Sequence, residues 1–205
     1  MSAQPKLRYS LEEYLKIDRT SNDRWEFWDG EIFNMSGVNE NHAEIEVNLI
    51  TFLNPKLRAR GCRMYPANMR IKVPSLPPYR YGDTSALCGM PTFVKIAGVD
   101  VLTNPALIVE VLSETTETYD RGDKFSHYKS IPDFCEYLLI AQHRPHVTQY
   151  IKQSDGDWLQ REFNNLSDVV KIKSLDCEIL LSEIYEGIKF PKDDNTLRTT
   201  LRPLD

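Results

Sequence analysis

Glu110 invites a chemical reading because it interrupts an apolar run, Leu107-Ile108-Val109-Glu110-Val111-Leu112. Such a run predicts a central strand buried on both faces. A carboxylate buried there needs a cation or a hydrogen-bond network. The flanking valines also permit a strand with Glu110 on a solvated face, and the segment alone balances the two readings evenly. Asp83 follows Gly82 in a second strand-like segment, 79–88 (YRYGDTSALC). Taken alone, an aspartate after glycine is more often a turn residue. If the two strands pair, both carboxylates converge with a backbone carbonyl as hard oxygen ligands, a set suited to Mg²⁺ or Mn²⁺.

Lys124 could serve the same site. Asp120, Lys124 and Tyr128 are spaced by four and share one face of a helix expected over 117–130, with Gly122 as its weak point. The plain alternative is an exposed Asp-Lys pair. His42 and Glu46, also four apart, could orient a carboxylate or contact phosphate; a hydrogen-bonded structural histidine is the blander option. Glu26 and Glu44 are further candidate carboxylates. From Val47 to Gly82 there is no Asp or Glu, while Lys56, Arg58, Arg60, Arg63, Arg70, Lys72 and Arg80 fall in that stretch. This strip ends beside Asp83 and could grip a phosphate backbone; a solvated basic surface would look the same.

The elements that must position these residues are legible in outline. Ser10 and Glu13 form a capping-box pattern for a helix at 10–17. Asp29-Gly30 turns a hairpin over 24–35. A helix is expected over 41–60, capped by Asn41 with Glu44 and stopped at Gly61, with an apolar face of Ala43, Val47, Ile50, Leu53 and Leu57 that Leu49 and Phe52 widen. Pro55 should bend or break it. Residues 62–73 read as extended, 89–104 as a Gly/Pro loop, and 134–141 as a buried strand. A hairpin over 146–163 turns at Ser154-Asp155-Gly156, and a strand at 175–180 with a helix at 181–186 closes the domain. The fold class is therefore α/β (α+β), with a mixed central β-sheet flanked by helices. Residues 1–190 form one domain, and 191–205 a polar, disordered tail.

The net charge of −5 excludes a wholly basic nucleic-acid coat but not one local patch. The four cysteines show no close spacing, which suggests neither a zinc ribbon nor a disulfide framework. Cys88, Cys135 and Cys177 read as small buried hydrophobes, and a reduced cytoplasmic compartment is expected. No apolar run is long enough to span a bilayer. Phosphate-binding loops, GxSxG and HExxH are missing.

Together, the stretch Trp25 to Ile32, Asn41-His42-Ala43-Glu44-Ile45 running to Asn48-Leu49, Tyr81-Gly82-Asp83, Pro105 to Ser113, Thr118-Tyr119-Asp120-Arg121, Lys124, Tyr128 and Ile131-Pro132 resemble the Uma2-like family. That family, formerly a domain of unknown function abundant in cyanobacteria, belongs to the PD-(D/E)XK nuclease superfamily. The resemblance covers residues 9–190. It implies a restriction endonuclease-like core and a metal-dependent endonuclease acting on nucleic acid, with DNA the expected partner and Mg²⁺ or Mn²⁺ the cofactor. It maps the motif aspartate to Asp83, the motif glutamate to Glu110 and the motif lysine to Lys124, with the Val111 carbonyl completing the metal set. Glu26 and His42 would support the site with Asp120 and Tyr128. Arg58, Arg60, Arg63 and Arg70 are the candidate nucleic-acid contacts. Two positions depart from the general motif: Gly82 replaces proline, and Leu112 stands where the motif carries lysine. The rival reading is a catalytically silent nuclease-fold module that binds nucleic acid or a protein partner. A homodimer through the hairpin 146–163 is a further possibility.

Overall fold

The computed structural model describes residues 7–190 apart from Ser36 and Pro77. The expected tail, 191–205, lies outside the described residues. Helix α1 (Leu11–Thr20) starts at Ser10, whose hydroxyl accepts from the Glu13 N–H while the Glu13 carboxylate accepts from the Ser10 N–H. Strands β1 (Trp25–Trp28) and β2 (Glu31–Asn34) form the expected hairpin. Asp29 and Gly30 take φ of 46° and 78°, the left-handed pair a type I′ turn requires.

Helix α2 (Glu40–Arg58) is capped by Asn39, whose side chain accepts from the His42 N–H, and not by Asn41. Asn41 instead donates its amide to the Gln142 carbonyl, 3.1 Å away. The buried face overlaps the expected one in part. Leu49, Leu53 and Leu57 are buried as expected and Ile45 joins them, whereas Ala43 is exposed and Val47 is 55% exposed. The stripe that packs runs through 45, 49, 53 and 57 at a spacing of four. Pro55 lies inside α2 without ending it.

The central sheet has six strands in the order β12-β11-β10-β9-β6-β3. They are β3 (Cys62–Pro66), β6 (Thr84–Cys88), β9 (Leu107–Leu112), β10 (Glu136–Ala141), β11 (Val147–Lys152) and β12 (Trp158–Phe163). Only β9 and β10 run parallel; the other neighbours are antiparallel. A side sheet holds β5 (Arg80–Tyr81), β4 (Arg70–Ile71), β8 (Val99–Leu102) and β7 (Phe93–Ile96). The hairpin β7–β8 occupies the segment expected to be a loop. It turns on Ala97 (φ 50°) and Gly98 (φ 83°), and alanine gives no turn signal of the Asn-Gly kind. A last hairpin, β13 (Val169–Ile172) with β14 (Cys177–Leu180), precedes α5 (Leu181–Ile184).

All six residues of β9 are buried, so Glu110 is not on a solvated face. Leu107, Val109 and Val111 pack with α2, α5 and β14 in one core. Ile108 and Leu112 pack with Phe125, Tyr128 and Tyr137 in a second core on the other face. By the two-residue period of a strand, Glu110 points into that second core. Cys62 and Cys88 are opposite one another in the β3–β6 register and joined by a disulfide, against the expectation of unpaired thiols. Their separation of 26 residues gives no local signal, because register alone brings them together. Cys88 is exposed, and Cys135 and Cys177 are only half-buried. No helix among the described residues is long and apolar enough to cross a membrane.

Candidate metal and nuclease site

The segment 79–88 breaks where the chemistry lies. Between β5 and β6 the chain bends at Gly82-Asp83, and β6 begins pairing with β9 only at Thr84 opposite Val109. The edge of β9 beyond Val109 is left to Asp83, whose Oδ2 accepts from the Val111 N–H at 2.6 Å. Gly82 is dictated by packing: a Cβ there would stand 2.8 Å from the Ile108 Cγ2. The residue before the aspartate therefore has no room for any side chain, proline included.

Segment 117–128 covers the Glu110 face. It is α-helical at Glu117–Tyr119 (α3) and Phe125–Tyr128 (α4), and π-helical between them at Asp120–Lys124. π-turns concentrate at functional sites because the widened turn re-aims side chains. Here Asp120 and Lys124 both turn inward, 3% and 1% exposed. Lys124 Nζ lies 2.9 Å from Glu110 Oε1 and 3.4 Å from Asp120 Oδ1. The Tyr128 hydroxyl donates to the same Glu110 oxygen at 3.0 Å. Leu112 is fully buried in the apolar cluster on that face. The cation missing at position 112 thus reaches Glu110 from the facing helix.

The start of α2 closes the other side. His42 Nε2 stands 3.4 Å from Asp83 Oδ1 and 3.1 Å from Glu46 Oε1. One ligand atom each from His42, Glu46 and Asp83 lie within 4.8 Å of one another. Asp83 is therefore shared by two groups: the imidazole and carboxylate on α2, and the Glu110–Lys124 pair across β9. Glu44, also considered from sequence, is exposed. Glu26 is buried; it accepts from the Tyr81 N–H at 2.7 Å and lies 4.0 Å from Arg80 Nε.

The site is rich in acid. Burial would lower the His42 pKa, but hydrogen bonds and charge from Asp83 and Glu46 outweigh it and push it up to about 9. Burial opposes Asp83 ionisation, but His42, Lys124 and the Val111 N–H hold that carboxyl below its usual range. Burial pushes Glu110 well above the carboxylate range despite Lys124. Burial acts to deprotonate Lys124, yet Glu110, Asp120 and Glu26 together hold its proton more firmly than usual. Both members of the Glu110–Lys124 pair are pushed toward their protonated forms, Glu110 chiefly by burial and Lys124 by the acids around it.

The expected basic strip does not converge here. A cavity of about 270 Å³ is lined by His42, Asp83, Glu110, Asp120, Lys124 and Gln142 among others, and by none of Arg58, Arg60, Arg63 or Arg70. Arg58 sits sixteen residues along α2 from His42, roughly 24 Å at the helical rise. Arg60 pairs with Asp176. Arg70 turns inward to Asp18 at 2.6 Å, and Arg80 is fully buried. Arg58 and Arg63 remain exposed. Lys72 donates to the Pro78 carbonyl at 3.4 Å. Gln142, which lines the cavity, was not singled out from sequence because it lies just past the end of a buried strand.

Comparisons with known proteins agree with this geometry. Residues 11–182 match the family model described as "Uma2: Putative restriction endonuclease". Two uncharacterized proteins of Synechocystis sp. are similar to the chain. One, slr1290, is 35% identical over 186 residues, 91% of this chain and 95% of the relative. The other, sll1609, is 34% identical over 150 residues, 73% of this chain and 84% of the relative. A solved structure from Anabaena variabilis, titled a "putative nuclease belonging to DUF820", superposes with a TM-score of 0.66 at 17% identity. It covers 85% of this chain and 96% of that one, a likeness of fold. The chain belongs to the Uma2 family.

Proposed function

We propose that this chain is a divalent-metal-dependent nuclease that hydrolyses phosphodiester bonds, with DNA as its substrate. The observation that carries this reading is that Asp83 from the β5–β6 bend, Glu110 of β9 and Lys124 of the π-turn line one cavity. Family membership supports the reaction class.

The donor chemistry fits Mg²⁺ or Mn²⁺: Asp83, Glu46 and the His42 imidazole bring one ligand atom each within 4.8 Å of one another, and the Glu110 carboxylate lines the same cavity as Asp83. Asp83 would be the central ligand, Glu110 and the Val111 carbonyl would complete the set, and His42 with Glu46 would lie beside it. A bound divalent cation would activate water and neutralise charge on the scissile phosphate. Glu110 would then loosen its bond to Lys124, freeing the ammonium to stabilise the charge that develops on the phosphoryl oxygens. Tyr128 holds the Glu110 side chain by its hydroxyl bond and limits how far it can swing. Asp120 holds Lys124 from behind.

The test is nicking of supercoiled plasmid and cleavage of single-stranded DNA in Mn²⁺ and Mg²⁺, with EDTA and Asp83→Ala controls. Cleavage that needs metal and vanishes in the variant is the expected result. If cleavage persists in Asp83→Ala, the assignment fails.

A further inference from the structure

The cavity that should receive a nucleic acid offers it no unengaged cation among the described residues. His42 faces Asp83 and Glu46, and Lys124 faces Glu110 and Asp120. A polyanion brought here needs neutral hydrogen-bonding groups as well as a metal. Most of those are already committed. The Asn39 side chain caps α2. Ser113, Thr115 and Thr116 bond one another, with hydroxyl contacts of 3.0 Å from Ser113 to each threonine.

Gln142 is different. It follows β10 directly, its backbone carbonyl is held by Asn41, and it lines the cavity beside Ser113 and Lys124. Its side chain is 9% exposed, and its Oε1 accepts a hydrogen bond from no described residue. A buried amide oxygen without a donor is costly, so such groups are normally satisfied by protein, water or ligand. No protein group among the described residues takes this role, which leaves the oxygen open to a donor that enters the cavity.

We propose that Gln142 is a substrate contact whose Oε1 accepts a hydrogen bond from a hydroxyl or amine of a nucleotide seated beside Asp83 and Lys124. This rests on the nuclease reading of the site. Two sources carry such a donor: the ribose 2′-hydroxyl, which only RNA has, and the exocyclic amines of bases, which both nucleic acids have.

The experiment measures binding of fluorescein-labelled DNA and RNA 20-mers of one mixed sequence by anisotropy in Ca²⁺. Gel analysis checks that the strands remain intact. Wild type is compared with Gln142→Leu, which removes the amide, and Gln142→Glu, which keeps an acceptor. Thermal melts and Mn²⁺ titration confirm that each variant folds and keeps its metal site. A lost hydrogen bond predicts about 3- to 10-fold weaker binding for Gln142→Leu, and a smaller loss for Gln142→Glu. A loss confined to RNA assigns the donor to the 2′-hydroxyl, and a loss on both strands assigns it to a base amine. Unchanged binding in both variants overturns the proposal. So does a larger loss in Gln142→Glu than in Gln142→Leu, which would mean that the amide N–H donates to phosphate. If wild type binds neither strand, the nuclease reading itself fails, an outcome distinct from a normal affinity that ignores Gln142.

Discussion

Two buried charged clusters lie in this molecule, and they are built on opposite principles. Around Asp18 the charges balance. Its carboxylate takes Arg70 at 2.6 Å, the Tyr79 hydroxyl at 2.6 Å, the Tyr81 hydroxyl at 3.4 Å and the Trp25 N–H at 3.3 Å. Arg70 also lies over the Tyr79 and Tyr81 rings, 5.0 and 5.6 Å from their centroids. Around Asp83 they do not balance: Asp83, Glu46, Glu110 and Asp120 face only His42 and Lys124. A balanced buried pair holds elements together, here α1 against the side sheet. On the proposed reading a divalent cation would balance the excess acid, and removing an acid there should cost less stability than removing Asp18.

The largest effect should come from breaking the unbalanced cluster at its shared member. Asp83→Ala is expected to lower cleavage by at least about a hundredfold, since activation of water and charge neutralisation by the metal both depend on that ligand. Unfolding in urea should show a loss of only about 1 kcal/mol, from the Val111 N–H left without its acceptor. Lys124→Met should lower kcat by roughly a hundredfold, the usual scale for one electrostatic stabiliser, while Mn²⁺ affinity by calorimetry stays the same or rises. Asp18→Ala should reverse the pattern: about 3 kcal/mol of stability lost because Arg70 is left buried without its carboxylate, with Mn²⁺ affinity per folded molecule intact. Metal itself should sharpen the contrast. Mn²⁺ at a hundred times its Kd should stabilise wild type by about 2.7 kcal/mol, stabilise Asp18→Ala equally, and do nothing for Asp83→Ala. The smallest effect concerns the exposed arginines. Arg58→Glu with Arg63→Glu should weaken DNA binding only a few-fold at physiological salt, because exposed charges are screened there and Arg58 is far from the cavity.

Sequence patterning was a good guide to strands and a poor guide to facing. The apolar runs around Glu110 and Tyr137 announced central strands, and Asp29-Gly30 announced its turn. The α2 face was right at Leu49, Leu53 and Leu57 and wrong at its start, where Ala43 and Val47 face outward and Ile45 packs inward. The β7–β8 hairpin was missed because its left-handed turn uses alanine. The basic strip looked like one surface because adjacency in sequence is not adjacency in space. Arg70 and Arg80 turn inward to acids contributed by α1 and β1.

What the sequence determined by itself was the site's vocabulary. An acid in a buried run, an aspartate after glycine, and lysine, aspartate and tyrosine spaced by four on a helix are local facts of composition and period. Tertiary structure decided which of them meet. The π-turn aims Lys124 at Glu110, the bend at Gly82 sets Asp83 over the open edge of β9, and the cap at Asn39 brings His42 to that aspartate. Register likewise paired Cys62 with Cys88, and the end of β10 left Gln142 enclosed without a partner among the described residues. These outcomes depend on contacts between segments far apart in the chain, which no local spacing encodes.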